Sequence, residues 1–172
     1  AENSVSTHIE GQFHKEIWSL IYAGELVELF IGDPTVAFQS LEFILEKDMK
    51  GVWVEVKVVD ADDVDEELDS PIYQYVKFTK GSTLDGEYVE EFDINFQVSN
   101  EWLAENNLEK ESVSLYHHTG GSWEEISTSM VSSDELYTYY FASVGDFSYF
   151  AVSSSSEEVV TSSVTTPEEE ES

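Results

Sequence analysis

Any chemistry in this chain has to be done with carboxylates, hydroxyls and imidazoles, because its 172 residues include 37 Asp plus Glu, four histidines and no cysteine. The missing thiols remove disulfides, zinc–thiolate sites and cysteine nucleophiles together. The histidines are His8, His14, His117 and His118. The last two are adjacent in or just beyond an extended segment, where successive side chains point to opposite faces, so the rings are poorly placed to share a metal. No serine sits in a Gly-x-Ser-x-Gly elbow, no His-Glu-x-x-His appears, and no glycine loop is built to cradle a phosphate. Carboxylate pairs occur throughout, and in so acidic a chain their abundance does not single out a glycosidase pair. No catalytic residues are expected.

The densest carboxylate run is Asp60, Asp62, Asp63, Asp65, Glu66, Glu67 and Asp69. Calcium takes about six to eight oxygens on a flexible frame, and such a loop can supply several. Asp60, Asp62, Asp63, Asp65, Glu67 and Asp69 are the candidate calcium ligands, and calcium is the one cofactor the sequence raises. The run is not an EF-hand: Asp63, Asp65 and Glu67 give a start, but Leu68 occupies the glycine position and Gln74 the terminal glutamate position. A solvated acidic loop is the competing reading. Trp18, Trp53, Trp102 and Trp123 raise a second possibility, a glycan platform on a sheet face, although large aromatics are also what a β-core uses.

Around these groups the charge is extreme, with seven lysines, no arginine and a formal net charge of −30. A phosphate backbone needs cations to displace its counterions, so nucleic acid is excluded as a partner. Anionic lipid is disfavoured on the same ground. The folded chain must repel itself, which salt relieves. No apolar run is long enough to span a bilayer, so no membrane insertion is expected. Ala1-Glu2-Asn3 is consistent with a mature end left after cleavage.

The elements read as strands and turns. Residues 1–14 are polar, with little periodicity, and read as an arm. Ile17 to Tyr22 and Glu25 to Ile31 are extended segments around Ala23-Gly24 that could pair as neighbours. Val36 to Phe38 and Leu41 to Glu46 follow, the latter also compatible with a short helix. Gly51 to Val59 is the clearest strand of the first half, with Val52, Val54, Val56 and Val58 on one face and Trp53, Glu55 and Lys57 on the other. Ile72 to Phe78 and Tyr88 to Val98 are further strands, the second with Ile94, Phe96 and Val98 facing in. Ser99 or Asn100 can cap a helical turn carrying Trp102 and Leu103. Val113 to Tyr116 and Trp123 to Ile126 form a hairpin about Gly120-Gly121, and Tyr137 to Phe141 and Phe147 to Val152 complete the set. About ten strands without a long amphipathic helix predict an all-β antiparallel sandwich, Ig-like or related, over residues 15–152. From Ser153 to Ser172 the chain is Ser/Thr-rich and acidic without aromatics, an expected disordered stalk open to O-linked sugars.

The spacing between Phe92 and Val152 resembles the PGF-pre-PGF domain of archaeal cell-surface and S-layer-associated proteins. The residues that carry the resemblance are Ile94, Phe96 and Val98; Trp102 and Leu103; Asn107 and Leu108; Val113, Leu115 and Tyr116; Gly121 and Trp123; Tyr139; then Phe147, Ser148, Phe150, Ala151 and Val152. The chain departs from the family where Pro-Gly-Phe-Ser is usual, with Val144-Gly145-Asp146-Phe147-Ser148 instead. The resemblance implies an extracellular archaeal envelope location and a structural or adhesive role, without catalytic residues. It points to copies of the chain or another surface protein as partners, with residues 1–14 a candidate strand donor to a neighbour. A glycan- or calcium-binding module is the alternative.

Overall fold

The valine alternation after Gly51 builds an 11-residue strand, Met49–Val59, with Val52, Val54 and Val56 buried and Lys57 outside. The computed structural model describes residues 2–64, 68–81, 84 and 87–155. In order the elements are β1 (Glu2–Ile9), β2 (Phe13–Ile21), β3 (Leu26–Phe30), β4 (Phe38–Ile44), β5 (Met49–Val59), β6 (Ile72–Lys80), β7 (Phe92–Ser99), α1 (Asn100–Glu105), β8 (Val113–Thr119), β9 (Ser122–Ile126), β10 (Thr128–Ser133), β11 (Tyr137–Val144) and β12 (Tyr149–Ser154), with short 3-10 turns at Ala61–Asp63 and Lys110–Ser112. The strands form two antiparallel sheets, one ordered β1-β2-β5-β6-β12-β8-β9 and the other β10-β11-β7-β4-β3. The molecule is a β-sandwich.

Twelve strands stand where about ten were expected. One of the additional strands, β1, comes from the polar run read as an arm. Residues 2–9 pair with β2 of the same chain from Glu2↔Leu20 to Ile9↔Phe13, around a turn in which Gly11 takes φ +73°. The run has no apolar period because β1 is an edge strand whose residues 3–9 are exposed. The other, β10, is an edge strand of the second sheet and mostly exposed. β2 and β3 do not pair. Both edges of β2 are taken by β1 and β5, so the chain crosses at Tyr22–Glu25 and β3 pairs with β4 in the opposite sheet. Leu41 and Ile44 lie on β4, which is extended rather than helical, because Leu41 pairs with Leu29 and Ile44 with Leu26.

The core lies between the sheets. Phe38 sits at its centre, with the ring of Phe78 at 5.0 Å, Phe96 at 5.7 Å and Phe150 at 6.4 Å. Two of these rings come from the seven-stranded sheet and one from Phe38's own sheet, so this side chain ties the layers together. α1 carries the chain from β7 to β8 between the sheets. The Ser99 hydroxyl caps it, accepting from the N–H groups of Glu101 and Trp102 at 3.2 and 3.4 Å, and Leu103 is buried beneath it. A smaller apolar cluster lies on the outer face of the seven-stranded sheet, where Tyr75, Tyr116 and Ala151 are covered by Ala61, Val64 and Leu68 of the acidic loop. Residues 153 and 154, assigned from sequence to the stalk, complete β12; residues 156–172 of that segment lie outside the described residues.

Phe38→Ala should cost about 3–5 kcal/mol, the range for emptying a large aromatic site in a packed core. Denaturant unfolding checks this; a loss below about 1 kcal/mol would mean that the layers are held elsewhere.

Candidate functional site

The β1–β2 hairpin does what neither strand's sequence announces: it sets His8 directly opposite His14. Their Nδ1 atoms lie 3.1 Å apart. His8 Nε2 reaches the Asp33 carboxylate at 3.0 Å, and His14 Nε2 faces Glu16 at 3.5 Å. Asp33 is buried in the turn between β3 and β4, entered through Gly32 at φ +66°. Its oxygens also accept from the Gly11 N–H at 2.9 Å and from the Thr35 N–H and hydroxyl at 2.9 and 2.6 Å. Burial pushes this carboxyl up, but the hydrogen bonds from Thr35, Gly11 and His8 outweigh it and bring the pKa down to about 2. Asp33 therefore stays ionised and fastens the outer hairpin of one sheet to a turn of the other.

Proton counting defines what this chain of groups can do. Asp33 takes the Nε2–H of His8, and a second proton must lie between the two Nδ1 atoms. Two neutral rings supply no third, so His14 Nε2 faces Glu16 without one, and this is the longest of the three contacts. One added proton satisfies all three contacts between the two carboxylates; another would set N–H against N–H. Burial pushes His14 below its usual pKa, with Glu16 acting in the opposite direction. The cluster holds a hairpin against the opposite sheet.

The other histidines separate as expected. His117 stacks on Phe150 at 4.5 Å and 10°, and burial lowers its pKa, while His118 lies on the opposite face, edge-on to Trp123 at 4.9 Å. Both rings are half-buried against aromatics. Of the candidate calcium ligands, Asp60, Asp62, Asp63 and Asp69 are described; Asp65 and Glu67, with Glu66, lie outside the described residues. The Asp63 carboxylate turns back to accept the Asp60 N–H at 2.9 Å. Among the described residues no group of three or more His, Asp or Glu side chains is disposed to hold a metal ion. The tryptophans do not form a platform. Trp18 is core, Trp102 packs edge-on to Tyr73, and Trp53 and Trp123 share an outer face but stand on β5 and β9, four strands apart.

Sequence reading missed a row of carboxylates. Glu28 of β3 stands opposite Glu42 of β4, and Glu42 opposite Asp93 of β7, on the outer face of the five-stranded sheet. Ser143 closes the row, donating to Asp93 at 2.7 Å. Burial first, then the charges of Glu28 and Asp93, push Glu42 above the usual glutamate pKa. Like charges directly opposite on neighbouring strands destabilise a sheet. The positions are far apart in sequence, and only strand order could have revealed them.

Two pH effects of opposite sign follow. His14 takes a proton less readily in the folded than in the unfolded chain, so its contribution is full above about pH 6.5 and is lost as pH falls. The unfolding midpoint of the wild type should drop between about pH 7.5 and about pH 5.5, and His14→Gln should flatten that slope; equal slopes would assign the effect to another group. Glu42 takes a proton more readily when folded, so stability gained from it appears as pH falls through its raised pKa. Glu42→Gln should raise stability at pH 7 by about 0.5–1 kcal/mol and abolish that gain, and a destabilised variant would show the row to be compensated. No family model matches the chain, and no curated protein matches it.

Proposed function

We propose that this chain is a non-enzymatic structural or adhesion module of an archaeal cell surface, of the PGF-pre-PGF kind. The observation that carries this reading is where the positive charge goes. Against 37 carboxylates there are seven lysines, and four of them lie over aromatic rings: Lys15 over Trp53 at 4.4 Å, Lys47 over Tyr88 at 4.0 Å, Lys77 over Tyr149 at 5.2 Å and Lys80 over Phe147 at 5.8 Å. Lys80 also pairs with Asp146 at 3.3 Å. These four lysines brace the scaffold, and most surface carboxylates are left to solvent cations. That suits a domain working in salt, where repulsion beyond about 10 Å is screened at about 0.1 M and more closely still above it.

The resemblance supports the same reading in a specific way. Its motif residues Ile94, Phe96, Val98, Leu103, Leu115 and Phe150 are buried, so the motif describes a scaffold rather than a catalytic centre. The titratable groups around Asp33 likewise close on one another and fasten secondary structure together. A module of this kind acts through its outer faces and edges.

The test is location. An epitope-tagged chain expressed in its native host should label on intact, unpermeabilised cells and fractionate with the envelope. Labelling that required permeabilisation would overturn the proposal.

A further inference from the structure

The two outer faces of the sandwich are unlike in charge and alike in being apolar. On the seven-stranded sheet the register runs Val5↔Ile17↔Trp53, then Thr7↔Lys15↔Glu55, then Ile9↔Phe13↔Lys57↔Lys77↔Tyr149. Three of the chain's seven lysines therefore share one face, and Lys57 and Lys77 stand directly opposite each other. Glu55 stands in the row between them, and the acidic loop packs farther along the same face, over Tyr75. On the five-stranded sheet the rows are Leu26↔Ile44, Glu28↔Glu42↔Asp93 and Phe30↔Ser40↔Asn95.

Both faces break the habits of a solvated sheet. Val5, Ile9 and Ile17 are 64%, 43% and 40% exposed on the first, and Leu26, Phe30 and Ile44 are 60%, 64% and 48% exposed on the second. Each also sets like charges opposite one another, an arrangement that is unfavourable alone and favourable once the opposite sign is laid over it. Neighbouring strands are about 4.8 Å apart, so the lysines of β5 and β6 have the same lateral spacing as the carboxylates of β3, β4 and β7.

We infer that these faces dock on each other in successive copies of this chain, with Lys15, Lys57 and Lys77 of one copy against Glu28, Glu42 and Asp93 of the next. A second copy is the occupant because it supplies what the lysine face requires: carboxylates in strand register, flanked by exposed apolar side chains. The lysine patch on the β2–β5–β6 part of this face, beside the acidic loop that packs over Tyr75, is itself an exception on a chain of net charge −30, and it is matched in sign to the strand-registered acidic row. The two faces lie on opposite sides of the sandwich, so one contact leaves the other face free. Such a head-to-tail contact grows into a ring or an open filament rather than stopping at a dimer. The net charge opposes any approach of two copies at low salt. Screening removes that long-range term, while the apolar contacts are retained in molar salt.

The stacking goes beyond the envelope reading and is tested on purified full-length protein without a cell. Sedimentation velocity over a concentration series should show species larger than a dimer at about 0.15 M and about 1 M salt, and less association at about 0.01 M. The variant Lys57→Glu/Lys77→Glu and the variant Glu28→Lys/Glu42→Lys should each need at least about tenfold more protein to associate. Their substitutions are on the outer faces, Glu42 and Lys77 half-buried there, and unchanged circular dichroism confirms the fold. Mixed one to one, the two variants restore complementary charges at both contacts and should co-assemble near the wild-type concentration. Wild type that stays monomeric throughout would overturn the stacking, as would variants that associate like wild type or that stay apart on mixing. A monomer that still labels intact cells would remove the stacking and leave the location standing.

Discussion

Surplus negative charge acts on every part of this molecule, because 37 carboxylates against seven ammonium groups cannot be paired off by any folding of the chain. Cohesion must then come from what charge does not oppose. Two antiparallel sheets close over a core rich in phenylalanine, and Phe38 touches rings from both layers. Hydrophobic burial is non-directional and little affected by the surface field, so it can hold the layers while the outside repels itself. The scarce cations reinforce this arrangement: four lysines lie over aromatic rings, where an ammonium is attracted by the ring's electron-rich face.

Where charge does enter the interior it is fully engaged. Asp33 accepts from two backbone N–H groups, a hydroxyl and an imidazole, and so joins the β1–β2 hairpin of one sheet to the β3–β4 turn of the other. A buried carboxylate with fewer donors would be costly. The acidic loop shows the same economy. Asp60, Asp62, Asp63 and Asp69 face solvent while Ala61, Val64 and Leu68 cover Tyr75 and Tyr116, so a run dense in charge is held in place by its few apolar members.

The outer faces invert that logic. Glu28, Glu42 and Asp93 are set in line, as are Lys57 and Lys77, and exposed Leu26, Phe30, Val5 and Ile17 lie beside them. Within one molecule these placements oppose stability. The stacking inferred above would set each against the opposite charge of a neighbouring copy.

Much of the fold is legible in the amino-acid order, because period and capping are local. The valines of β5, the inward Ile94, Phe96 and Val98 of β7, the Ser99 cap and the Gly120-Gly121 hairpin are each decided by residues within a few positions of one another. The edge strands β1 and β10 escape notice for a related reason: an exposed strand needs no apolar alternation. Sheet order is not local. Whether β3 pairs with β2 or with β4 depends on β1 and β5 already occupying both edges of β2, and the carboxylate row depends on strands that begin at residues 26, 38 and 92 becoming neighbours. The His8–His14–Asp33 contact needs both a hairpin register and a packing of one sheet on the other. Sequence by itself determined an acidic all-β sandwich with an aromatic core, since composition and periodicity act residue by residue. Only the tertiary structure decided which charges face one another, because a strand's partners are chosen by every other strand at once.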